Sequence, residues 1–189
     1  MKEKSLRIFK KFPVLKTERL LLRRITKDDV YDVFDYSSSE NLTKYLLWYP
    51  HKTITYTSKY LSVVNKLYKK VKFYDWGIEF EGRMIGTVGF TRLDLNNAIG
   101  EIGYVISEKY AGCGIATEAA KRIIEFGFNE LSLNRIEARY IKENLGSKRV
   151  ASKAGMREEA VIRSGIKLKG EYKDLVISSV LKDEYINKK

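Results

Sequence analysis

Two hydrophobic periods alternate along the chain. Residues 18–25, Glu-Arg-Leu-Leu-Leu-Arg-Arg-Ile, read as a first strand behind a basic N-terminal arm. Thr26 precedes Asp29 by three, which resembles a capping box and predicts a helix over about 27–37. The polar run Ser37–Asn41 leads to an aromatic segment with Tyr45, Trp48, Tyr49 and His51, where Pro50 closes the run. A second helix is predicted over 53–71, with Tyr56, Tyr60, Val63, Val64 and Leu67 on one face. The period then drops to two. Residues 73–80 and 83–90 flank Glu81-Gly82 as a hairpin, and Ile99–Ser107 continues the meander. A helix from Ile115 to about Leu131 turns Ala116, Ala120, Ile123, Gly127 and Leu131 inward, with Glu118–Arg122 and Lys121–Glu125 paired outside. Beyond it lie a strand at Asn134–Lys142, a short helix over 144–154 ending at Gly155, and strands at about 156–164 and 172–181. Gly165 and Gly170 fall in their connection. About seven strands and four helices, without repeat or domain break, predict one α+β layered domain.

The junction between the third meander strand and the helix at Ile115 carries chemistry. Gly112 and Gly114 permit turn conformations closed to other residues and let a ligand approach the backbone. The first helical turn then offers free N–H groups and a positive dipole end to a phosphate. No Lys follows in a G-x-x-x-x-G-K-[ST] pattern, so this is not the nucleoside-triphosphate P-loop. A plain strand-to-helix connection is the alternative.

The composition narrows the field. The chain has 189 residues, enough for one domain, with 36 Lys and Arg against 24 Asp and Glu, a formal charge of +12. That excess favours anionic partners such as nucleotides, ribosomal RNA or acidic membranes. The basic residues are scattered, so a solvated surface is the other reading. His51 is the only histidine, which excludes a histidine-rich metal site and any two-histidine mechanism. Cys113 is the only cysteine, so no intramolecular disulfide forms. No apolar run reaches the ~18 residues of a membrane span. The first residues lack a continuous apolar core, so a cytoplasmic location is expected.

The stretch at 143–158, Glu-Asn-Leu-Gly-Ser-Lys-Arg-Val-Ala-Ser-Lys-Ala-Gly-Met-Arg-Glu, adds a second signature. With the glycine turn it resembles the GNAT superfamily of acyl-CoA-dependent N-acetyltransferases. Gly114 and Ala116 match that family's phosphate loop, while Ala111 stands where the family has Gln or Arg. Within the superfamily the chain is most similar to the RimJ/RimL-like branch, which acetylates ribosomal-protein N-termini. The similar segments are TERLLLRRIT at 17–26, EIGYVI at 101–106, GIATEA at 114–119, the spaced Asn144–Met156 pattern and G-x-Y-x-D at 170–174. The implied layout is an arm at 1–16, an acetyltransferase domain at 17–182 and a tail at 183–189. Its fold is a mixed, mostly antiparallel sheet flanked by helices.

The resemblance implies acetyl-CoA as co-substrate and no metal. Backbone groups of Tyr104, Val105 and Ile106 would hold the pantetheine at a splayed strand. Amides of Gly112, Cys113, Gly114, Ile115, Ala116 and Thr117 would hold the pyrophosphate. Asn144 would contact the pantetheine, or serve only as a helix N-cap. Glu101 is the first candidate base, the alternative being a strand carboxylate paired with Lys or Arg; Glu79, Glu81 and Glu143 stand behind it. The tyrosine acid of many members is replaced by Ala151, which leaves Ser147 as candidate acid. Cys113 reads as a neutral filler rather than a nucleophile. An α-amine of pKa ~7.7 costs about 1 kcal/mol to deprotonate at pH 7, against about 4.6 for a lysine of pKa ~10.4, so a protein N-terminus is the easier acceptor. The Tyr45–His51 segment is the expected acceptor wall. The alternatives are a polyamine or antibiotic acceptor, or a non-catalytic RNA- or ribosome-binding module with a vestigial CoA site. Ribosome association and a homodimer are expected by analogy, and no membrane partner.

Overall fold

The computed structural model describes residues 2–187. The sheet has eight strands: β1 (Leu15–Lys16), β2 (Leu21–Arg23), β3 (Asp75–Phe80), β4 (Arg83–Asp94), β5 (Ile99–Ile106), β6 (Arg135–Ile141), β7 (Arg157–Leu168) and β8 (Glu171–Leu181). Their order across the sheet is β1-β2-β3-β4-β5-β6-β8-β7. Every pair is antiparallel except β5–β6, so the expected mixed α+β sheet is observed. The β3–β4 turn forms as expected, with Glu81 at φ 51° and Gly82 at φ 75°. Two left-handed residues give the turn a right-twisted hairpin needs.

Seven α-helices surround the sheet among the described residues: α1 (Lys2–Lys11), α2 (Val30–Ser37), α3 (Glu40–Thr43), α4 (Ile54–Lys69), α5 (Ile115–Asn129), α6 (Leu145–Lys153) and α7 (Lys182–Ile186). The basic N-terminal segment is helix α1 for most of its length. Phe9 and Phe12 are buried in the core, and Phe9, Trp76 and Phe126 pack with centroids 5.3–6.2 Å apart. The Trp76 Nε1–H donates to the Pro13 carbonyl at 2.8 Å, fixing the chain after α1. The tail begins as α7; Lys188 and Lys189 lie outside the described residues.

Three local expectations change. Helix α4 buries Thr57, Leu61, Val64 and Tyr68, one position round from the expected face. Tyr56 and Tyr60 are turned out of the core because they line a cleft. On α5, Glu118 reaches Arg19 rather than Arg122, and Arg122 lies 3.6 Å from Glu125. Gly165 sits inside β7, where a register shift between Ile162 and Ile166 absorbs it, and the β7–β8 turn is Lys169-Gly170.

Adjacent strand residues face opposite sides of a sheet. Trp76 therefore points toward α1 and α5, while Asp75 points to the face that α2 and α4 partly cover. That face holds the cleft.

Candidate active site

Strands β5 and β6 pair only from Ile99–Ile102 to Arg135–Ala138. Beyond that, β5 follows β4 to Ile106 and β6 follows β8 to Ile141. The strands part at Gly103 and a cleft of about 770 Å³ opens there. Gly86 draws β4 tightly against the back of β5, since a Cβ there would come within 3.0 Å of Ile106 Cα. Of the three residues expected to meet the pantetheine, Tyr104 and Val105 line the cleft, and Ile106 continues β5 toward the glycine turn.

Gly112 and Gly114 have φ of 82° and 80°, so the turn uses the conformational freedom for which glycine was singled out. The Glu118 N–H makes the first helical bond, to the Gly114 carbonyl at 3.0 Å. The N–H groups of residues 112–117 donate to no described acceptor, so six amides stand free at the start of α5. A clasp from the N-terminal strand region holds this turn. The Thr17 hydroxyl and the Arg19 backbone N–H donate to Glu118 Oε1 at 2.6 and 3.0 Å. The Arg19 guanidinium donates to Glu118 Oε2 at 2.7 Å and to the Cys113 carbonyl at 3.1 Å. Burial alone would raise the Glu118 carboxyl, but these bonds hold it below its ordinary range. Cys113 itself is exposed.

Helix α6 forms the far wall. Asn144 caps it, its Oδ1 accepting the Ser147 N–H at 3.1 Å, which is the capping role weighed from the sequence. The Tyr104 hydroxyl spans the gap and donates to the Ser147 carbonyl at 2.9 Å. Burial pushes this phenol up, so it stays protonated at neutral pH. Asn144 and Ser147 both line the cleft. Ala151 lies buried beneath them, 1 % exposed.

The other end of the cleft is walled by Tyr36, Trp48, His51, Tyr56 and Tyr60. Of the segment expected to wall the acceptor, Tyr45, Trp48 and His51 line the cleft and Tyr49 does not. His51 Nδ1 lies 2.8 Å from Thr57 Oγ1, and burial lowers its pKa, so it is neutral at pH 7. The β7–β8 turn bears on this wall, with Lys169 Nζ donating to the Thr43 carbonyl at 2.7 Å and lying 5.1 Å from the Tyr49 ring centroid.

Asp75 and Glu101 are the carboxylates of the cleft lining. Glu101 is engaged: Arg139 Nε lies 3.2 Å from Oε2 and Thr91 Oγ1 donates to Oε1 at 2.9 Å. The other sequence candidates lie elsewhere. Glu79 pairs with Arg23 at 2.5 Å, and neither Glu81 nor Glu143 reaches the cleft. Asp75 was not singled out by sequence. Its one signal was a charged residue at the start of β3, next to Trp76. Asp75 is half-buried where it lines the cleft, and desolvation there raises its pKa to about 7.

Comparison with known proteins agrees with this geometry. Residues 19–157 match the acetyltransferase (GNAT) domain family. The N-acetyltransferase p20 of Bacillus licheniformis is 33% identical over 173 residues, covering 90% of this chain and 97% of its own. A GNAT-family acetyltransferase structure from Bacillus anthracis superposes with a TM-score of 0.80 at 30% identity, covering 90% of this chain and 99% of that one. RimL, a ribosomal L7/L12 α-N-protein acetyltransferase solved with coenzyme A, shares the fold at 20% identity. Its TM-score is 0.78, with 91% of this chain and 99% of that one covered. The chain belongs to the GNAT family of N-acetyltransferases, enzymes whose acetyl donor is acetyl-CoA.

Proposed function

We propose that the enzyme acetylates the N-terminal α-amine of a protein in the cytoplasm, a ribosomal protein being the favoured acceptor. The observation that carries this is the charge of the acceptor end. Arg139 offsets Glu101, so one uncompensated carboxylate, Asp75, is left among aromatic walls and a neutral His51. That suits one ammonium group followed by apolar and backbone surface. A polyamine or aminoglycoside carries several cationic groups and would leave all but one unmatched in this end of the cleft. The net charge of +12 adds long-range attraction toward ribosomal RNA, where ribosomal N-termini are displayed. RimL, with the same fold, carries a ribosomal protein in its name as substrate.

In this reading the six free amides at 112–117 take the pyrophosphate. The open edge of β5 at Tyr104–Ile106 takes the pantetheine amides as a missing strand would, with Asn144 opposite. Ser147, on the cleft lining, is the proton donor to the leaving sulfur in this reading. A thiol of pKa ~8.5 needs only modest help to leave. Glu101, tied to Arg139 and Thr91, shapes the wall between the two halves.

The test follows free thiol release from acetyl-CoA across N-terminal peptides, spermidine and an aminoglycoside. Turnover of peptides at least about tenfold faster than of the polycations is expected. Preference for spermidine or the aminoglycoside overturns the acceptor assignment. Silence across the panel, with RNA binding that falls steeply as salt rises, would leave only a binding module.

A further inference from the structure

Three carboxylates on the strands that frame the cleft face have guanidinium partners. Glu79 meets Arg23 on β2 and β3, Glu101 meets Arg139, and Glu137 meets Arg135 at 2.8 Å. Asp75 does not. No described residue donates a hydrogen bond or an ion pair to its carboxylate. A half-buried charge without a partner is unfavourable in the free protein, and it is kept where a ligand supplies the partner.

The sheet register says where that ligand lies. Asp75 is paired with Gly89, and Gly89 with Gly103, so one row crosses β3, β4 and β5 on the cleft face. Two of its three residues have no side chain. The Asp75 carboxyl leans into the space this leaves, since a Cβ added at Gly89 would overlap its Oδ1. Strands lie about 4.8 Å apart, so the carboxylate stands roughly one strand spacing from Gly103, where β5 leaves β6. A glycine-floored trough thus runs from an unpartnered carboxylate to the mouth of the cofactor gap. At the same end, Ser37 lines the cleft with a buried hydroxyl that has no hydrogen-bond partner.

We propose that Asp75, rather than Glu101, anchors the ammonium group of the acceptor and takes its proton. This rests on the acetyltransferase reading of the cleft. The ammonium binds over Gly89, between the carboxylate and the thioester. One N–H proton passes to Asp75 and on to solvent, leaving a lone pair on nitrogen. The nitrogen attacks the thioester carbonyl carbon, the C–N bond forms and the C–S bond breaks. The second N–H proton passes from nitrogen to the Ser147 hydroxyl as that hydroxyl delivers its own proton to the sulfur, so amide and free thiol result and Ser147 is restored.

The neighbouring groups fit that role. Tyr36 of α2 and Tyr60 and Tyr68 of α4 face Asp75, and burial and then its charge raise the Tyr60 phenol to about 12. Burial pushes Tyr36 and Tyr68 up as well, so all three stay neutral at pH 7. His51 is neutral, and the Glu101–Arg139 pair closes on itself. Burial brings Asp75 to about 7, close to an α-amine of ~7.7, so proton exchange between them is nearly balanced.

The experiment compares Asp75→Asn and Glu101→Gln with the wild type, using whichever amine of the panel turns over fastest. Should that amine be spermidine, the N-terminal reading fails while the Asp75 comparison still runs. Asp75→Asn is expected to lower kcat/KM at pH 7 by about 10²- to 10⁴-fold, with acetyl-CoA Kd unchanged. The deficit should shrink above about pH 9, where the amine loses its proton unaided. Glu101→Gln should lose less than about tenfold. An Asp75→Asn kcat/KM within about threefold of wild type, or a loss of the same size from pH 6 to 10, overturns the proposal. Should Asp75→Asn not fold, a carbon-13 titration of Asp75 in the wild-type protein decides. Its midpoint near pH 7 should fall when the acceptor amine binds, and a midpoint indifferent to the amine overturns the role.

Discussion

The two ends of the cleft are built from different materials. In the proposed reading, the recognising groups at the cofactor end are backbone: six free amides at 112–117 and the open edge of β5. Side chains there act as scaffolding, with Arg19 and Thr17 clasping Glu118 and Asn144 capping α6. At the proposed acceptor end the cleft is lined by side chains brought from α2, α4, β3 and the 45–51 segment. Backbone recognition depends on glycines and strand ends, so it suits a donor common to a whole family. Side-chain recognition can change residue by residue, and acceptor choice belongs there.

The trough at Gly103 is where the two ends meet, and the largest effect is expected from blocking it. In Gly103→Val the new Cβ would come within 2.8 Å of Thr91 Cγ2, and its methyl groups would occupy the path from Asp75 to the cofactor gap. Misplacement of the amine by about 1 Å can cost about 10²-fold in rate, and a filled trough should cost at least that in kcat/KM. The fold should persist, because β5 keeps its pairing with β4. Near-normal turnover in this variant would mean that the acceptor approaches from elsewhere and that the two ends do not communicate across this row.

A smaller effect, with the opposite sign for stability, separates the acceptor end from ordinary structure. Asp75 has its carboxyl raised from 3.8 to about 7 in the folded chain. Between those values the folded state holds a proton that the unfolded state has released, so stability falls as pH rises through this window. The full penalty, present above about pH 7, has a ceiling of about 4 kcal/mol. Asp75→Asn removes the charge and should therefore melt higher than wild type at pH 8, by about 5 °C if half the penalty is recovered. The difference should vanish below about pH 4. A variant less stable at pH 8 would show that Asp75 has a structural partner, and the contrast with the paired Glu101 would collapse.

The same division explains what could be read from the sequence. The glycine turn, the hairpin at Glu81-Gly82 and the Asn144 cap are local events with local signals, and the structure places them as expected. The splay at Gly103 followed from family resemblance. In the N-terminal segment Lys and Arg dominate the composition and mask the helix, while Phe9 and Phe12, three residues apart, supply its buried side. On α4, Tyr56 and Tyr60 looked like core because apolar spacing does not distinguish a protein interior from a cleft wall. Asp75 was invisible for a deeper reason. Its meaning lies in register partners 14 and 28 positions away and in the lack of a counter-ion, and neither has a signature in nearby sequence.

The smallest effect tests the scaffolding at the cofactor end. Arg19 joins the N-terminal strand region to the turn, bonding the Cys113 carbonyl and Glu118. Its side chain is 40% exposed, so solvent screens these contacts and each contributes no more than about 1 kcal/mol. Arg19→Ala leaves the six amides in place but frees the carbonyl that orients them. Acetyl-CoA Kd should rise by about two- to fivefold, with the acceptor KM unchanged, as measured by calorimetry and by initial rates at saturating acetyl-CoA. A rise of about 10²-fold would make Arg19 itself a phosphate ligand. An effect on acceptor KM alone would mean that the clasp serves the acceptor end, against the division of labour between backbone and side chain.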